Sequence, residues 1–162
     1  MLERRIGARG IILDDNNHLL AQKFQTDEIG GETSYWGTPG GGMDPHESLV
    51  ECLEREMVEE TGIRARVGKL LFIQQFKTPH RSGAIREHME FFFHIKNHDD
   101  YTSIDLSKTS HGLQELTRCE FIDPKSEVLL PAFLQTIDIR SHIENDQPTF
   151  IANYLDEVGV NK

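Results

Sequence analysis

Between residues 47 and 60 the chain reads ESLVECLEREMVEE, and the spacing of its apolar residues predicts the surrounding fold. These residues recur at the positions of one helix face: Leu49, Cys52, Leu53 and Met57. A helix turns by roughly 100° per residue, so Glu56, Glu59 and Glu60 fall on that same side. The sequence therefore predicts an amphipathic helix that directs three carboxylates inward.

The inward carboxylates indicate a cationic partner. A buried charge is unfavourable unless it is paired, and neighbouring carboxylates resist joint ionisation. A divalent ion meets both requirements, because Mg²⁺ prefers oxygen ligands and takes only a few of them from protein. Glu56, Glu59 and Glu60 are therefore candidate metal ligands, and the alternative interpretation is an ordinary solvated acidic face.

A glycine-rich turn at residues 39–42 (PGGG) precedes this helix. Glycines let a backbone approach a ligand closely, which suits phosphate binding beside a helix start. The candidate substrate contacts in this turn are Gly40, Gly41 and Gly42. The helix is predicted to begin with Asp44 as N-cap and Glu47 as capping-box acid, and to end at residues 61–62. Together these features predict a site where metal ions bridge helix carboxylates and substrate phosphates.

The rest of the chain alternates predicted strands and helices, which is typical of an α/β protein. Strand patterns cover residues 4–13, 18–24, 67–76, 87–95 and 119–122. The first two strands form a predicted hairpin, residues 77–86 a predicted loop and residues 131–142 a predicted helix. We therefore expect one domain over residues 1–162, with a mixed sheet between helices.

Composition and charge exclude several classes of protein. A net charge of −10, from 17 basic and 27 acidic residues, argues against a general nucleic-acid binder. It does not exclude a phosphorylated substrate, because bound cations reverse the local field. Two cysteines do not indicate a disulfide scaffold. Neither a membrane span nor a signal peptide is evident, so we expect a cytoplasmic protein without a membrane partner.

Residues 41–63 resemble the Nudix box at every defined position. The matching residues are Gly41, Glu47, Arg55, Glu56, Met57, Glu59, Glu60, Gly62 and Ile63. The preceding residues 36–41 (WGTPGG) are similar to the family's usual approach to its box. The resemblance implies an α/β/α sandwich and Mg²⁺- or Mn²⁺-dependent hydrolysis of a nucleoside diphosphate linked to another group.

The resemblance also implies roles for individual residues. The implied metal ligands are Glu56, Glu59, Glu60 and the carbonyl of Gly41. Glu59 is our choice of general base, with Glu56 as the alternative. Arg55 is implied to orient these glutamates. The alternative interpretation of the same contacts is that Arg55 only forms ion pairs along the helix.

Other candidate contacts lie outside the box. Basic residues concentrate in the predicted loop at residues 77–86, where Arg81 and Arg86 are candidate contacts for substrate phosphates. A solvated loop is the alternative interpretation. Glu90 is a candidate for an additional metal or substrate contact, and Glu115 is a weaker candidate for an outlying catalytic acid.

Alternative functions remain open at this point. A nucleotide-sensing module on a Nudix fold would lack catalysis, although such proteins usually lose box acids that are all present here. A prenyl-diphosphate isomerase normally needs a cysteine, and Cys52 on the inner helix face is badly placed for that role. An RNA 5′-end pyrophosphohydrolase is disfavoured by the net charge. ADP-ribose, nucleotide sugars and nucleoside triphosphates are all open as small-molecule substrates. The sequence does not determine the oligomeric state, and a homodimer is one candidate because homodimers are common among relatives.

Overall fold

A computed structural model of the chain describes residues 2–80 and 82–152. Its strands are β1 (Leu2–Ile11), β2 (Leu19–Phe24), β3 (Gly40–Gly42), β4 (Val67–Pro79), β5 (Ile85–Ile95), β6 (Leu116–Ile122) and β7 (Thr149–Ala152). Its α-helices are α1 (Leu49–Thr61), α2 (Gly112–Glu115) and α3 (Ile139–Glu144). Short 3₁₀ helices cover His98–Tyr101, Leu106–Lys108 and Ala132–Gln135. Within the described residues, no helix is long and apolar enough to cross a membrane.

The strands form two sheets of different size. The larger sheet has the order β3-β1-β5-β4-β7, and β2 pairs with β6 in a separate antiparallel pair. In the larger sheet β1 runs parallel to β5 and β4 parallel to β7, whereas the β1–β3 and β4–β5 pairs are antiparallel. The predicted mixed sheet is therefore confirmed.

Apolar side chains cover both faces of the larger sheet. On one face, α1 contributes Cys52, Leu53 and Met57 to a core that also contains Ala8, Ile12 and Ile95. On the other face, Phe133 meets the rings of Phe72 and Phe92 edge-on, with centroids 5.2 and 5.7 Å away. Ile139 of α3 joins this second core. The sheet thus lies between helical layers, as the sequence predicted.

The predicted hairpin forms only at its turn. Leu13 bridges to Leu19, and the Leu20 N–H donates to the Ile12 carbonyl at 2.9 Å. Beyond this point β2 leaves β1 and pairs with β6 instead. The two predicted strands exist, but they belong to different sheets.

Three further boundaries differ from the sequence-based prediction. Strands β4 and β5 extend into residues 77–86 and pair there as far as Pro79 and Ile85. The predicted helix at residues 131–142 is two short helices separated at residues 136–138. Strand β7 had no sequence signal.

Candidate active site

Helix α1 begins about one turn later than the sequence predicted. Ser48 is its N-cap and accepts from the Glu51 N–H at 3.2 Å, while Glu51 accepts from the Ser48 N–H at 2.8 Å. His46 has a φ of 70°, which a right-handed helix cannot contain, so Asp44 is not the cap. Glu47 accepts from the Asp44 N–H at 2.9 Å, but this contact closes a turn outside the helix.

The end of α1 agrees with the prediction. Thr61 is its last residue, and Gly62 follows in the left-handed conformation with a φ of 75°. The Gly62 N–H donates to the Val58 carbonyl at 2.9 Å. This cap fixes the last helical turn, which carries Glu59 and Glu60.

A cleft of about 360 Å³ opens where β3, the edge strand, meets α1. It is lined by Arg5, Arg9, Phe24, Gly40, Gly41, Glu56, Glu59, Glu60, His111 and Glu115. Its volume falls in the range of roughly 300–1,000 Å³ that is usual for small-molecule sites. Because β3 consists of Gly40–Gly42, its backbone faces the cleft without intervening side chains.

Glu60 is the most buried of the three predicted metal ligands, with 3% of its surface exposed. Its Oε2 accepts hydrogen bonds from Gln22 Nε2 at 3.0 Å and from the Gly40 N–H at 3.1 Å. Burial raises the pKa of Glu60 to about 7, although these two donors and the charge of Arg9 act in the opposite direction. Ionised Glu60 therefore needs more positive charge than its described neighbours supply.

Glu56 lies directly against the glycine strand. A Cβ on Gly41 would stand 2.7 Å from Glu56 Oε2 and closer still to its Cδ and Oε1. Burial raises the pKa of the Glu56 carboxyl, and its ion pair with Arg55 at 3.0 Å offsets part of this effect. The glycine at position 41 is therefore a steric requirement for the position of Glu56.

Glu59 connects α1 to the segment before α2. Its Oε2 accepts from Arg55 at 3.2 Å and lies 3.3 Å from His111 Nδ1. The His111 backbone N–H also donates to the Glu59 carbonyl at 3.1 Å. His111 was not singled out by the sequence, because its partner is 52 positions away in the chain.

Arg55 is the hub of the carboxylate cluster. It contacts Glu47 at 2.7 and 3.0 Å, the Gly42 carbonyl at 3.1 Å, and both Glu56 and Glu59. The Arg55 hydrogen bonds, followed by the Asp44 N–H, lower the pKa of Glu47 to about 2. These contacts are those expected of a residue that orients the box glutamates.

Arg9 is a second organising cation that the sequence interpretation missed. Its guanidinium donates to Glu90 at 3.1 and 3.3 Å, and to the carbonyls of Thr38 at 3.3 Å and Gly40 at 2.9 Å. Burial alone would lower the pKa of Arg9, but the charge and hydrogen bonds of Glu90, together with the charges of Glu60 and Glu56, outweigh it and raise the pKa. Glu90, a predicted ligand contact, is thus engaged by Arg9 and does not line the cleft.

The predicted substrate contacts separate into two groups. Gly40 and Gly41 line the cleft, and Gly42 adjoins them in β3. Arg86 lies on the extended β4–β5 arm, where it pairs with Glu3 at 2.8 Å and does not line the cleft. Arg81 lies outside the described residues.

The donor set of the cleft fits a hard divalent cation. Within residues 2–80 and 82–152, no three His, Cys, Asp or Glu side chains already surround a common metal position. Glu56 and Glu59 face Arg55 instead. The available donors are carboxylate and carbonyl oxygens, the ligands of Mg²⁺ and Mn²⁺, and Gly41 leaves them room.

Comparison with known proteins agrees with this arrangement. A family model described as NUDIX domain matches residues 3–134. The chain belongs to the Nudix hydrolase family. The predicted family is therefore confirmed, and so is the predicted fold class of a mixed sheet flanked by helices. Nudix hydrolases generally need a divalent metal, which agrees with the donor set of the cleft.

Two curated relatives are similar in sequence. An RNA pyrophosphohydrolase from Azorhizobium caulinodans is 27% identical over 124 residues, which are 69% of this chain and 74% of the relative. A putative 8-oxo-dGTP diphosphatase from Bacillus subtilis is 33% identical over 69 residues. That match spans only 43% of this chain and 42% of the relative.

Solved structures share the fold. A MutT protein from Bacillus halodurans superposes with a TM-score of 0.61 at 19% identity, covering 94% of this chain and 92% of that one. A UDP-X diphosphatase superposes with a TM-score of 0.58 at 17% identity, covering 91% of this chain and 66% of that one. At these identities the likeness shows the fold alone.

Proposed function

We propose that the protein hydrolyses the pyrophosphate link of a nucleoside diphosphate joined to another group, with Mg²⁺ or Mn²⁺ as cofactor. One observation carries this proposal: Glu56, Glu59 and Glu60 reach the same cleft beside a glycine strand. The strand offers backbone groups to a phosphate, and the glutamates offer oxygen ligands to the cations that accompany it. A cytoplasmic location and a homodimer stay predictions.

The residues of the cleft divide the chemistry among them. Divalent ions, when bound there, would neutralise the diphosphate and lower the pKa of the attacking water. Glu60, held by Gln22 and Gly40, would hold these ions together with Glu56 and the Gly41 carbonyl. Glu59 accepts the proton of the water that attacks phosphorus, and the bond from that phosphorus to the bridging oxygen breaks. Arg55 keeps Glu56 and Glu59 aligned throughout.

The names of the relatives support a nucleotide substrate. An 8-oxo-dGTP diphosphatase and an RNA pyrophosphohydrolase both act on phosphate chains attached to a nucleoside. For this chain we favour a small nucleotide over RNA, because a net charge of −10 opposes the binding of a polyanion.

A product-release panel tests the proposal. Purified protein with Mg²⁺ or Mn²⁺ is incubated with nucleoside triphosphates including 8-oxo-dGTP, ADP-ribose, nucleotide sugars, dinucleoside polyphosphates, NADH and 5′-triphosphorylated RNA. Glu59→Gln should lower turnover of the active substrate by roughly 100-fold or more, the usual contribution of a general base. The matched control is Glu54→Gln, which removes a carboxylate of the same helix that does not line the cleft.

Two results would contradict the proposal, the first its assignment of the general base and the second the reaction itself. Near-normal turnover by Glu59→Gln would remove Glu59 from catalysis and return Glu56 as the candidate base. Saturable nucleotide binding without product from any substrate would instead favour a nucleotide-sensing module.

A further inference from the structure

We propose that Arg5 binds the phosphate next to the pyrophosphate held by the glutamates, so that the substrate class is a nucleoside triphosphate rather than a nucleotide sugar. This inference rests on the proposed function and adds the substrate class. It follows from the order of side chains along the cleft and from the pairing of the arginines in β1.

The residues of the glycine-rich segment show the order of the side chains along the cleft. The segment meets four cleft residues in order: Phe24 at Gly37, Glu60 at Gly40, Glu56 at Gly41 and Arg5 at Gly42. A Cβ on Gly42 would stand 2.8 Å from Arg5 Nε, and one on Gly37 would stand 2.8 Å from Phe24 Cε2. The cleft therefore has an aromatic end and a cationic end, with the acids between them.

Arg5 reaches this cleft because β3 is the edge strand and carries no side chains. Successive residues of a strand face opposite sides of a sheet, so Glu56 at Gly41 and Arg5 at Gly42 approach β3 from different sides. At an edge made of glycines, both groups line one opening. Along the strand their positions differ by one residue, a rise of roughly 3.3 Å. Because both residues line the same cleft, Arg5 can meet a phosphate next to the pyrophosphate held by the glutamates.

The pairing of the β1 arginines distinguishes Arg5 from its neighbours. Arg4 pairs with Glu87 at 2.9 Å, and Arg9 pairs with Glu90 at 3.1 Å. The Arg5 guanidinium forms no ion pair or hydrogen bond with any residue in the ranges 2–80 and 82–152, although the Arg5 backbone lies opposite His88 in the β1–β5 ladder. Its guanidinium lines a cleft of acids, where a phosphate that the metal ions do not neutralise is its natural partner. A neutral sugar in the place of that phosphate would form no ion pair with Arg5.

The test compares Arg5→Gln with Arg4→Gln on matched substrates. The wild type should favour a nucleoside triphosphate over the nucleotide sugar with the same base. Arg5→Gln should raise the KM of the triphosphate by about 10- to 100-fold, the usual value of hydrogen bonds to a charged group, and leave the sugar within about threefold. Arg4→Gln should change neither, because it removes only an exposed ion pair.

Binding measurements separate this inference from the proposed function. Calorimetry with the α,β-methylene analogues of a nucleoside triphosphate and of ADP-ribose, whose α–β links resist hydrolysis, measures affinity without turnover. Weaker triphosphate binding by Arg5→Gln alone supports the subsite even if no substrate is turned over. Equal effects of Arg5→Gln on both ligands, no effect on either, or a wild type that prefers the sugar would overturn it.

A second observation, an unpaired carbonyl in the core, leads us to infer that Gln22 is a positioning residue for Glu60. Gln22 is fully buried, and its Nε2 donates to Glu60 Oε2 at 3.0 Å. The Gly40 N–H donates to the same oxygen, so both donors hold Oε2. This arrangement leaves Glu60 Oε1 as the oxygen available to a cation.

The orientation of the Gln22 amide has an energetic cost. Because ionised Glu60 only accepts hydrogen bonds, Gln22 must turn its NH₂ group towards it. Its Oε1 then lies buried without a partner among the described residues. An unpaired buried carbonyl lowers the stability of the fold, so its position beside a candidate metal ligand indicates a functional role for Gln22.

Gln74 provides a matched control for this arrangement. It is also buried, with 3% of its surface exposed, and its Oε1 also has no partner in the described part of the chain. It does not line the cleft. Replacing either glutamine with methionine removes the unpaired carbonyl at similar volume.

The test measures Mn²⁺ affinity by calorimetry and thermal stability in chelator. Gln22→Met should weaken Mn²⁺ binding by about 10- to 100-fold, as loss of a residue that orients a metal ligand usually does. Its melting temperature should be unchanged or higher. Gln74→Met should be equally stable and bind Mn²⁺ normally. Wild-type Mn²⁺ affinity in Gln22→Met, or an equal loss in Gln74→Met, would overturn the inference.

Discussion

Replacing Gly41 with alanine tests the closest approach between the glycine strand and the helix. The new Cβ would lie 2.7 Å from Glu56 Oε2, whereas ordinary van der Waals contact begins at 3.4 Å. Its distances to Cδ and Oε1 would be shorter still. The carboxyl group would have to move by about 1 Å, and a misplacement of that size in an active site costs roughly 100-fold in rate.

The expected effect falls on catalysis and not on folding. A 100-fold loss corresponds to about 3 kcal/mol of barrier height. Stability should fall by only about 1 kcal/mol, because the displaced atoms end a flexible side chain. The assay is kcat at saturating Mg²⁺ with the active substrate, together with thermal unfolding followed by circular dichroism.

A double-mutant cycle identifies the cause of the loss. In a Glu56→Ala background the new Cβ meets no carboxylate, so Gly41→Ala should then change the residual rate and the Mn²⁺ affinity little. The reasoning is refuted if Gly41→Ala alone keeps kcat within threefold of the wild type. It is also refuted if the substitution costs as much without Glu56 as with it.

Three further predictions follow from the geometry. Arg55→Lys should lower kcat by about 10- to 100-fold at unchanged fold, because a single ammonium cannot hold Glu47 and Glu56 together; steady-state kinetics and circular dichroism check this. The folded chain keeps the Glu60 proton up to about pH 7, where the unfolded chain has lost it. In the presence of a chelator, the contribution of Glu60 to the free energy of unfolding should therefore be complete below about pH 4.5, and this free energy should fall by up to about 3 kcal/mol by pH 8 in the wild type. Glu60→Gln should not show this fall, and urea unfolding measures both proteins. Gly62→Ala should lower the melting temperature by a few degrees, since a side chain at its φ of 75° costs about 1 kcal/mol.

The inward acids of α1 could be predicted because helical periodicity is a local property. The start of α1 could not, because the sequence contains two consecutive capping patterns, one at residues 44–47 and one at residues 48–51. Local preference does not choose between them. In the structure Glu47 is engaged by Arg55 and closes a turn with Asp44 outside the helix, and Ser48 caps the helix.

The cations of the site were missed for a related reason. Alternation along β1 puts Arg5 and Arg9 on one face, but the neighbours of that face come from distant parts of the chain. Position 9 lies beside Gly40 of β3, and Glu90 of β5 pairs with it. The basic residue Arg86 looked available in the sequence, yet β1 brings Glu3 to it. Strand β7 was missed in the same way, because its pairing with β4 is entirely long-range.

Glu47 neither caps α1 nor lines the cleft, and the contacts of Arg55 explain why the box nevertheless has an acid at this position. Arg55 holds Glu56 and Glu59, the same carboxylates that divalent cations would need. An arginine that lost both partners to cations would be left partly buried beside them, which is unfavourable. Glu47 prevents this, because it binds the guanidinium through both oxygens and its pKa of about 2 keeps it ionised at any working pH. Glu47→Gln should therefore weaken Mn²⁺ binding in calorimetry, since the positive charge of Arg55 is then left without a permanent partner; wild-type Mn²⁺ affinity in Glu47→Gln would contradict this role.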